Sequence, residues 1–314
     1  MPLRFSLRQL EYLVAVAETG TVAGAAARAR VSPPSVSAAI AQLEADLGLP
    51  LFVRRHARGL TLTPAGRAIL ADARAVLAAA SRIVDHAGEI RGSVQGRLAV
   101  GCLVTFARTV LPAVRRSFVD RHPAVEFSQV EHDQAGLLEG LRDAAIDIAL
   151  TYDLGLPADL DFIPLVTLPA HAVLPEGHPL AARAALGPAD LAPEPLVLLD
   201  LPMSADYFLT FFAGSGLTPR IAERTRDLDV ARGLVANGFG WSIANFRPVS
   251  DRAPDGRGLA FVPLAGPIRP MRMGLLPGPG ALSSHNVRAF ADHCRAEITP
   301  GSIPGLRAPA RGPD

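Results

Sequence analysis

Apolar and small residues at Val22, Ala25, Ala26 and Ala29 recur at the spacing of one helical face, and a second face runs through Val36, Ile40, Leu43 and Leu47. Ser32 before Pro33 offers an N-cap oxygen followed by a residue lacking an N–H that the first turn would leave unpaired. The second helix is therefore expected to start there, and Gly48 to end it. Two short helices joined within a few residues make a helix-turn-helix, whose second helix lies in the major groove of DNA. Ser35, Ser37 and Ala38 give that helix a small, polar exposed face. Beyond Gly48, LPLFVRRHARGLTLT places β-favouring residues on either side of a basic tip, and predicts a two-stranded wing. Arg54, Arg55 and Arg58 on that tip would reach phosphates or a narrow minor groove. Read alone, the same tip is equally a solvated basic loop.

From Pro64 to about Arg91 the period lengthens into one long helix. Ile69, Val76, Ile83 and Ile90 are spaced by sevens, with Ala73, Ala80 and Ala87 four residues after the first three. Large residues facing alanine form a heptad seam along which two helices approach closely, so a dimer is expected. A helix packed on its own domain would also show an apolar stripe. Dimerisation fits the DNA end, because two recognition helices related by a two-fold axis read an inverted repeat.

After Gly92 and Ser93, strands and helices alternate. GRLAVGCLV, AVEFSQVE and AIDIALTY read as strands, with helices around Leu111 to Asp120 and Ala135 to Asp143. HAVLP, PLVLLD, PRIAERT and GWSIAN form a second set, with helices near Ser204 to Ala213 and Leu228 to Asn237. GLAFVPL and MRMGLL precede a final helix near Ser283 to Ile298. This alternation predicts an α/β region with a mainly parallel sheet. The Pro- and Gly-rich tail, 301–314, is expected to be disordered.

The run LRQLEYLVAVAETGTVAGAAARARVSPPSVSAAIAQLEADLGLPLFVRRHARGLTLTPAG resembles the amino-terminal domain of the LysR-type transcriptional regulators over almost its whole length. Ala25 and Ala26, Pro34, Ser37, Leu43 and Glu44, Gly48, Leu51 and Phe52, Arg54 and the Thr63-Pro64-Ala65-Gly66 turn carry the likeness. The resemblance implies that Pro33, Pro34 and Ser37 open the recognition helix and that Arg58 is the wing arginine of the minor groove; Ser32 and Ser35, read from the helix start and its exposed face, join them as candidate DNA contacts with Arg54 and Arg55. Gly24 and Ala38 depart from the pattern, standing where the family often has polar or basic residues.

The implied fold is α+β and α/β: a winged helix-turn-helix over 1–63, a linker and dimerisation helix over 64–93, and a two-lobed effector domain over 94–300 like a periplasmic binding protein. Its first lobe would span about 94–165 and 268–300, and its second 166–267. Double-stranded DNA, a small-molecule effector, a homodimer assembling into a homotetramer, and RNA polymerase are the implied partners. The regulator would not be an enzyme.

With 314 residues, 49% hydrophobic and 19% charged, the chain is long enough for several compact units and is not a disordered polymer. Its net charge is only +1, so it is no polycation. The basic excess sits at the DNA end, where Arg4, Arg8, Arg28, Arg30, Arg54, Arg55 and Arg58 stand against Glu11, Glu18, Glu44 and Asp46. No signal peptide or membrane-spanning stretch is legible, which gives a cytoplasmic expectation with no membrane partner. Cys102 and Cys294 are read as unpaired packing residues and not as a peroxide-sensing pair. There is no phosphate loop, GxGxxG, HExxH, CxxC or GxSxG motif, and His171 and His178 lack a third ligand nearby in sequence. No catalytic residue, metal site or cofactor is therefore assigned.

The effector site follows from topology, since open α/β sheets bind ligands beyond the carboxyl ends of their strands. Thr105 and Phe106 follow the first strand, Gln134 the second and Tyr152 the third, and the resemblance places Thr105, Gln134 and Tyr152 in the crevice between lobes. Ser204 and Phe208 fall at the rim of the second lobe, and Arg226 after PRIAERT would meet a negative group. Each is also readable as a capping hydroxyl, a core aromatic or a surface charge. Together they suggest a small polar or aromatic effector. The rival reading is a solute-binding or enzymatic α/β protein whose first 64 residues are an interaction module.

Overall fold

The computed structural model describes residues 4–55, 59–90 and 94–301, and the side chains of all of these except 54, 55 and 84–90. Ser6 and Gln9 form a reciprocal capping box that starts α1 (Leu7–Thr19). Thr21 starts α2 (Val22–Ala29), its hydroxyl accepting from the Gly24 N–H at 3.0 Å. A side chain at Gly24 would meet Thr19 Cβ and this same Thr21 oxygen, both 2.9 Å from an added Cβ, so either threonine would have to shift to admit one.

Helix α3 (Pro33–Leu47) begins after Ser32 and ends at the left-handed Gly48. The N-cap expectation needs correction here. Ser32 Oγ lies 2.8 Å from Ser35 Oγ and makes no bond to the helix backbone. Pro33 and Pro34 have already removed two of the donors that a cap would satisfy.

Strands β1 (Phe52–Arg55) and β2 (Gly59–Leu62) pair antiparallel, with Arg55 opposite Gly59. Gly59 has φ +74°, and a Cβ there would stand 2.5 Å from the Gly20 carbonyl oxygen, to which Leu60 donates at 2.8 Å. The wing is thereby pinned to the end of α1. Leu13, Val16, Val36, Leu43 and Leu51 are fully buried at the centre of this end. Each such side chain removed from water is worth about 1.5–3 kcal/mol.

The long helix α4 (Pro64–Ile90) divides its heptad seam between two environments. Leu70 and Ala73 are buried in the helix-turn-helix core, and the partly buried Ile69 packs against it. Val76 is 42% and Ile83 72% exposed. The side chain of Ile90 lies outside the described residues. Arg74 reaches Glu18 of α1 at 3.4 Å, and Glu18 also pairs with Arg28, tying α4 to the first two helices.

The carboxyl-terminal region begins with β3 (Gly96–Leu103), α5 (Val104–Ala107), α6 (Leu111–Arg121), β4 (Val125–His132), α7 (Gln134–Arg142), β5 (Ile148–Tyr152) and β6 (Ile163–Leu168). It continues through β7 (His171–Pro175), α8 (Pro188–Leu191), β8 (Pro195–Leu199), α9 (Ser204–Leu209), β9 (Arg220–Thr225), α10 (Leu228–Ala236), β10 (Ser242–Ala244) and β11 (Leu259–Pro263). It closes with β12 (Met271–Pro277) and α11 (His285–Glu297).

One sheet has the order β4-β3-β5-β12-β6, so the late strand β12 completes the first lobe. The second lobe holds β10-β7-β11 and the pair β8-β9. The five-stranded sheet is mixed and the three-stranded one antiparallel, which corrects the mainly parallel expectation. Strand β3 runs parallel to β4 and β5, whereas β12 is antiparallel to both neighbours and β7 to both of its own. The returning chain inserts between β5 and β6, a pairing set by long-range topology that local alternation does not encode. Strand β6, absent from the sequence reading, runs through the expected lobe boundary at 165.

Where the chain crosses between lobes, Tyr207 donates to the Arg269 carbonyl at 2.7 Å. Asn245 donates to Tyr207 Oη at 2.8 Å and to the Leu168 carbonyl at 3.2 Å. Asp153 is held by Arg272 Nε at 2.7 Å and Arg269 at 3.0 Å. Burial alone would raise the Asp153 pKa, but hydrogen bonds from these two arginines outweigh it and hold the carboxyl below the ordinary range. No helix among the described residues is long and apolar enough to cross a membrane.

Candidate functional site

The reading face of α3 is built by elimination. Val36, Ile40 and Leu43 point into the core, so the remaining faces of the helix are left outside. Ser32, Pro33, Pro34, Ser35, Ser37 and Ala38 are all exposed. Two cap-like bonds hold this helix against the wing, because Glu44 Oε1 accepts from the N–H groups of Leu51 at 2.7 Å and Phe52 at 3.1 Å. The backbone of the wing strands includes Arg54 and Arg55, while their side chains and the whole of Arg58 lie outside the described residues. The expected arginine contacts are therefore not located here.

The second site is an open cleft of about 370 Å³ lined by both lobes. Val104, Thr105, Arg108, Glu131, His132 and Asp133 come from the first lobe, and Leu201, Arg226, Asp227 and Leu228 from the second. Of the sequence candidates, the structure brings Thr105 and Arg226 together here. The others do not line this cleft. Phe106 is fully buried beneath the cleft, its ring 4.7 Å from Tyr152 and 5.9 Å from Phe246. Tyr152 is buried too, and burial pushes its hydroxyl pKa up.

Gln134 spends its amide on the Tyr152 and Leu154 carbonyls at 3.3 and 2.9 Å, while its oxygen accepts from Thr151. It is a buried brace with its polar atoms engaged. Phe208 is buried against Tyr207, and Ser204, at the start of α9, is not among the residues lining the cleft. Phe106, Gln134 and Tyr152 follow strands as topology requires, but their side chains, like that of Phe208, are buried.

The sequence reading missed Arg108 and its partners. Arg108 crosses the cleft to Asp227 at 2.9 Å and to Asp229. Its hydrogen bond to Asp227 raises the guanidinium pKa, and the same bond lowers that of Asp227. Partners 119 and 121 residues apart have no local signature. Only the position of Arg108, just past Thr105 at the end of α5, could have marked it.

Among the described residues no cluster of three or more His, Cys, Asp or Glu side chains could hold a metal ion. His178 Nδ1 accepts from the Leu180 N–H at 3.2 Å, a turn contact. Cys102 and Cys294 are free and buried, and burial pushes both thiols up, away from the reactive thiolate that peroxide sensing requires.

Comparison with known proteins covers both sites. Residues 7–67 match the bacterial regulatory helix-turn-helix protein, lysR family, and residues 91–299 match the LysR substrate binding domain. Transcriptional activator protein LysR of Escherichia coli (strain K12) is 30% identical over 294 residues, covering 93% of each chain. The crystal structure of HinK, a LysR family transcriptional regulator from Pseudomonas aeruginosa, aligns at a TM-score of 0.62 and 33% identity, over 94% of this chain and 99% of that one. Full-length CbnR, solved as a complex with its target DNA, aligns at 0.53 and 28% identity, over 93% of this chain and 99% of its own.

These matches run through the helix-turn-helix, the long helix and both lobes, and set aside the rival in which the first 64 residues are an accessory to an enzyme. A helix-turn-helix with a small polar reading face, joined to a two-lobed region with an open cleft, places this chain in the LysR family of transcriptional regulators.

Proposed function

We propose that the chain is a cytoplasmic homodimer, assembling further into a tetramer, that binds an inverted-repeat operator and changes its DNA contacts when a small molecule enters the cleft. Residues 1–63 form its DNA-binding end, 64–93 its dimer helix and 94–300 its effector domain, with RNA polymerase as a downstream partner. The observation that carries this reading is the exposed Ser32–Ser37 face of α3, fixed beside a wing by Glu44. Since that face offers few charged groups, affinity should draw on wing arginines and paired half-sites. A ligand preferring one lobe arrangement would shift the population toward it.

Gel shifts on the DNA flanking the chain's own gene test the reading. The protein should bind that duplex at least about a thousandfold more tightly than random DNA at physiological salt. Equal affinity for both across several salt concentrations would count against it.

The dimer helix is tested separately. Val76 and Ile83 are apolar and exposed on α4, whereas Ile69 is partly buried against the helix-turn-helix core. Ile83→Asp places a charge where a partner helix would sit, and should convert a dimer into a monomer at micromolar concentration in sedimentation runs. A variant that sediments like the unaltered protein would remove Ile83 from the interface.

A further inference from the structure

Arg108 occupies the mouth of the cleft while bonded to the opposite lobe. Both of its partners have a second interaction to fall back on. Asp227 also caps α10, its Oδ1 accepting from the N–H groups of Asp229 at 2.8 Å and Val230 at 3.2 Å. Asp229 also faces Arg232 at 3.6 Å. Withdrawing Arg108 would therefore leave neither carboxylate without a partner. All three side chains are roughly half exposed, so the pairs are solvent-screened and readily exchanged.

Next to this bridge, Arg226 lines the same cleft with no ion pair among the described residues. Val104, Leu201 and Leu228 add an apolar wall, whereas Glu131 and Asp133 bring negative charge to the first-lobe side. Asp133 is committed to capping α7 through the Gly136 N–H at 3.0 Å, and Glu131 accepts from Gln129 at 2.6 Å. These carboxylates would repel an anion from their own side, toward Arg108 and Arg226.

We propose that Arg108, Asp227 and Asp229 form an exchangeable clasp, in which the carboxylate of a small ligand with an apolar body displaces the two aspartates from Arg108. The aspartates act as a built-in competitor for the ligand. Binding then breaks an inter-lobe bridge, and the lobe arrangement changes. This deepens the effector reading given above and rests on it.

The clasp predicts opposite effects from its two halves. Asp227→Asn combined with Asp229→Asn removes the competing charge while keeping side-chain shape and the helix cap, since asparagine caps as well as aspartate. Benzoate and succinate, titrated calorimetrically into the full chain, should bind this variant about tenfold more tightly than the unaltered protein. Arg108→Gln should weaken the same binding by about tenfold or more. The single aspartate variants should fall between, and serve if the double variant folds poorly.

Equal binding in all proteins, weakening in both variants, or no binding to the double variant up to about 10 mM overturns the clasp. Operator binding by the unaltered protein is measured alongside. If it persists while the carboxylate data show none of the expected pattern, the clasp fails and the regulator reading stands; if it is absent, the regulator reading itself fails.

Discussion

Phe106→Ala is expected to cost about 3–5 kcal/mol of stability, as deletion of a fully buried aromatic ring leaves a cavity that the surrounding structure only partly fills. Phe106 packs on Tyr152 of the first lobe and on Phe246, beyond the second-lobe strand β10, so its ring helps join the two lobes under the cleft. A domain stabilised by only about 5–15 kcal/mol would lose much of its margin. Thr105→Ala, one residue away but at the cleft surface, should change stability by about 0.5 kcal/mol or less. Trp241, the chain's single tryptophan, is buried near Phe211 and Phe212 and reports unfolding of this region through its fluorescence. Urea titration should show a clearly lower midpoint for Phe106→Ala and a nearly unchanged one for Thr105→Ala. Phe106→Leu, which keeps most of the volume, should recover the greater part of the loss. Equal midpoints for the two alanine variants would mean that Phe106 does not bear on the core.

The contrast between these neighbours shows what the sequence could and could not reveal. Short helices were legible because their signals are local: Ala25 and Ala26 on the buried face of the helix before the recognition helix, Gly48 closing the latter, and the β-favouring residues around the wing. Thr105 and Arg226 were legible because each follows a strand end, where topology alone places a cleft. Topology does not say which way a side chain turns. Phe106, Gln134 and Tyr152 satisfy the same positional rule as Thr105, yet all three turn into the core.

The clasp was invisible for a related reason. Arg108 and Asp227 come from different lobes, 119 residues apart, and which elements of the two lobes face each other is set by long-range strand order. The heptad identifies an apolar stripe but not its partner. Ile69 and Ala73 belong to the helix-turn-helix core, and Val76 and Ile83 continue the same stripe beyond it.

Glu44→Ala should disable DNA recognition without touching a residue on the reading face. The carboxylate holds the N–H groups of Leu51 and Phe52 where the chain leaves α3 for the wing. Hydrogen bonds to a charged acceptor contribute about 1.5–3 kcal/mol each, and the variant leaves the N–H of a fully buried Leu51 without its acceptor, so a total loss of about 3 kcal/mol is expected. The same stretch is crowded: Thr63 donates to the Leu51 carbonyl at 2.9 Å, and a Cβ at Gly66 would come within 2.1 Å of that oxygen. Relaxation of Leu51 toward another acceptor is therefore resisted by the start of α4. Recognition needs the helix and the wing to engage one duplex together, and loss of their fixed spacing turns one binding event into two weaker ones. Operator affinity measured by fluorescence anisotropy should fall by about a hundredfold. Glu44→Gln, whose amide oxygen accepts from the same two donors, should keep most of it. If Glu44→Ala bound the operator like the unaltered chain, the wing would be held by its contacts with Gly20 and α4 alone, and the reading helix would be independent of it.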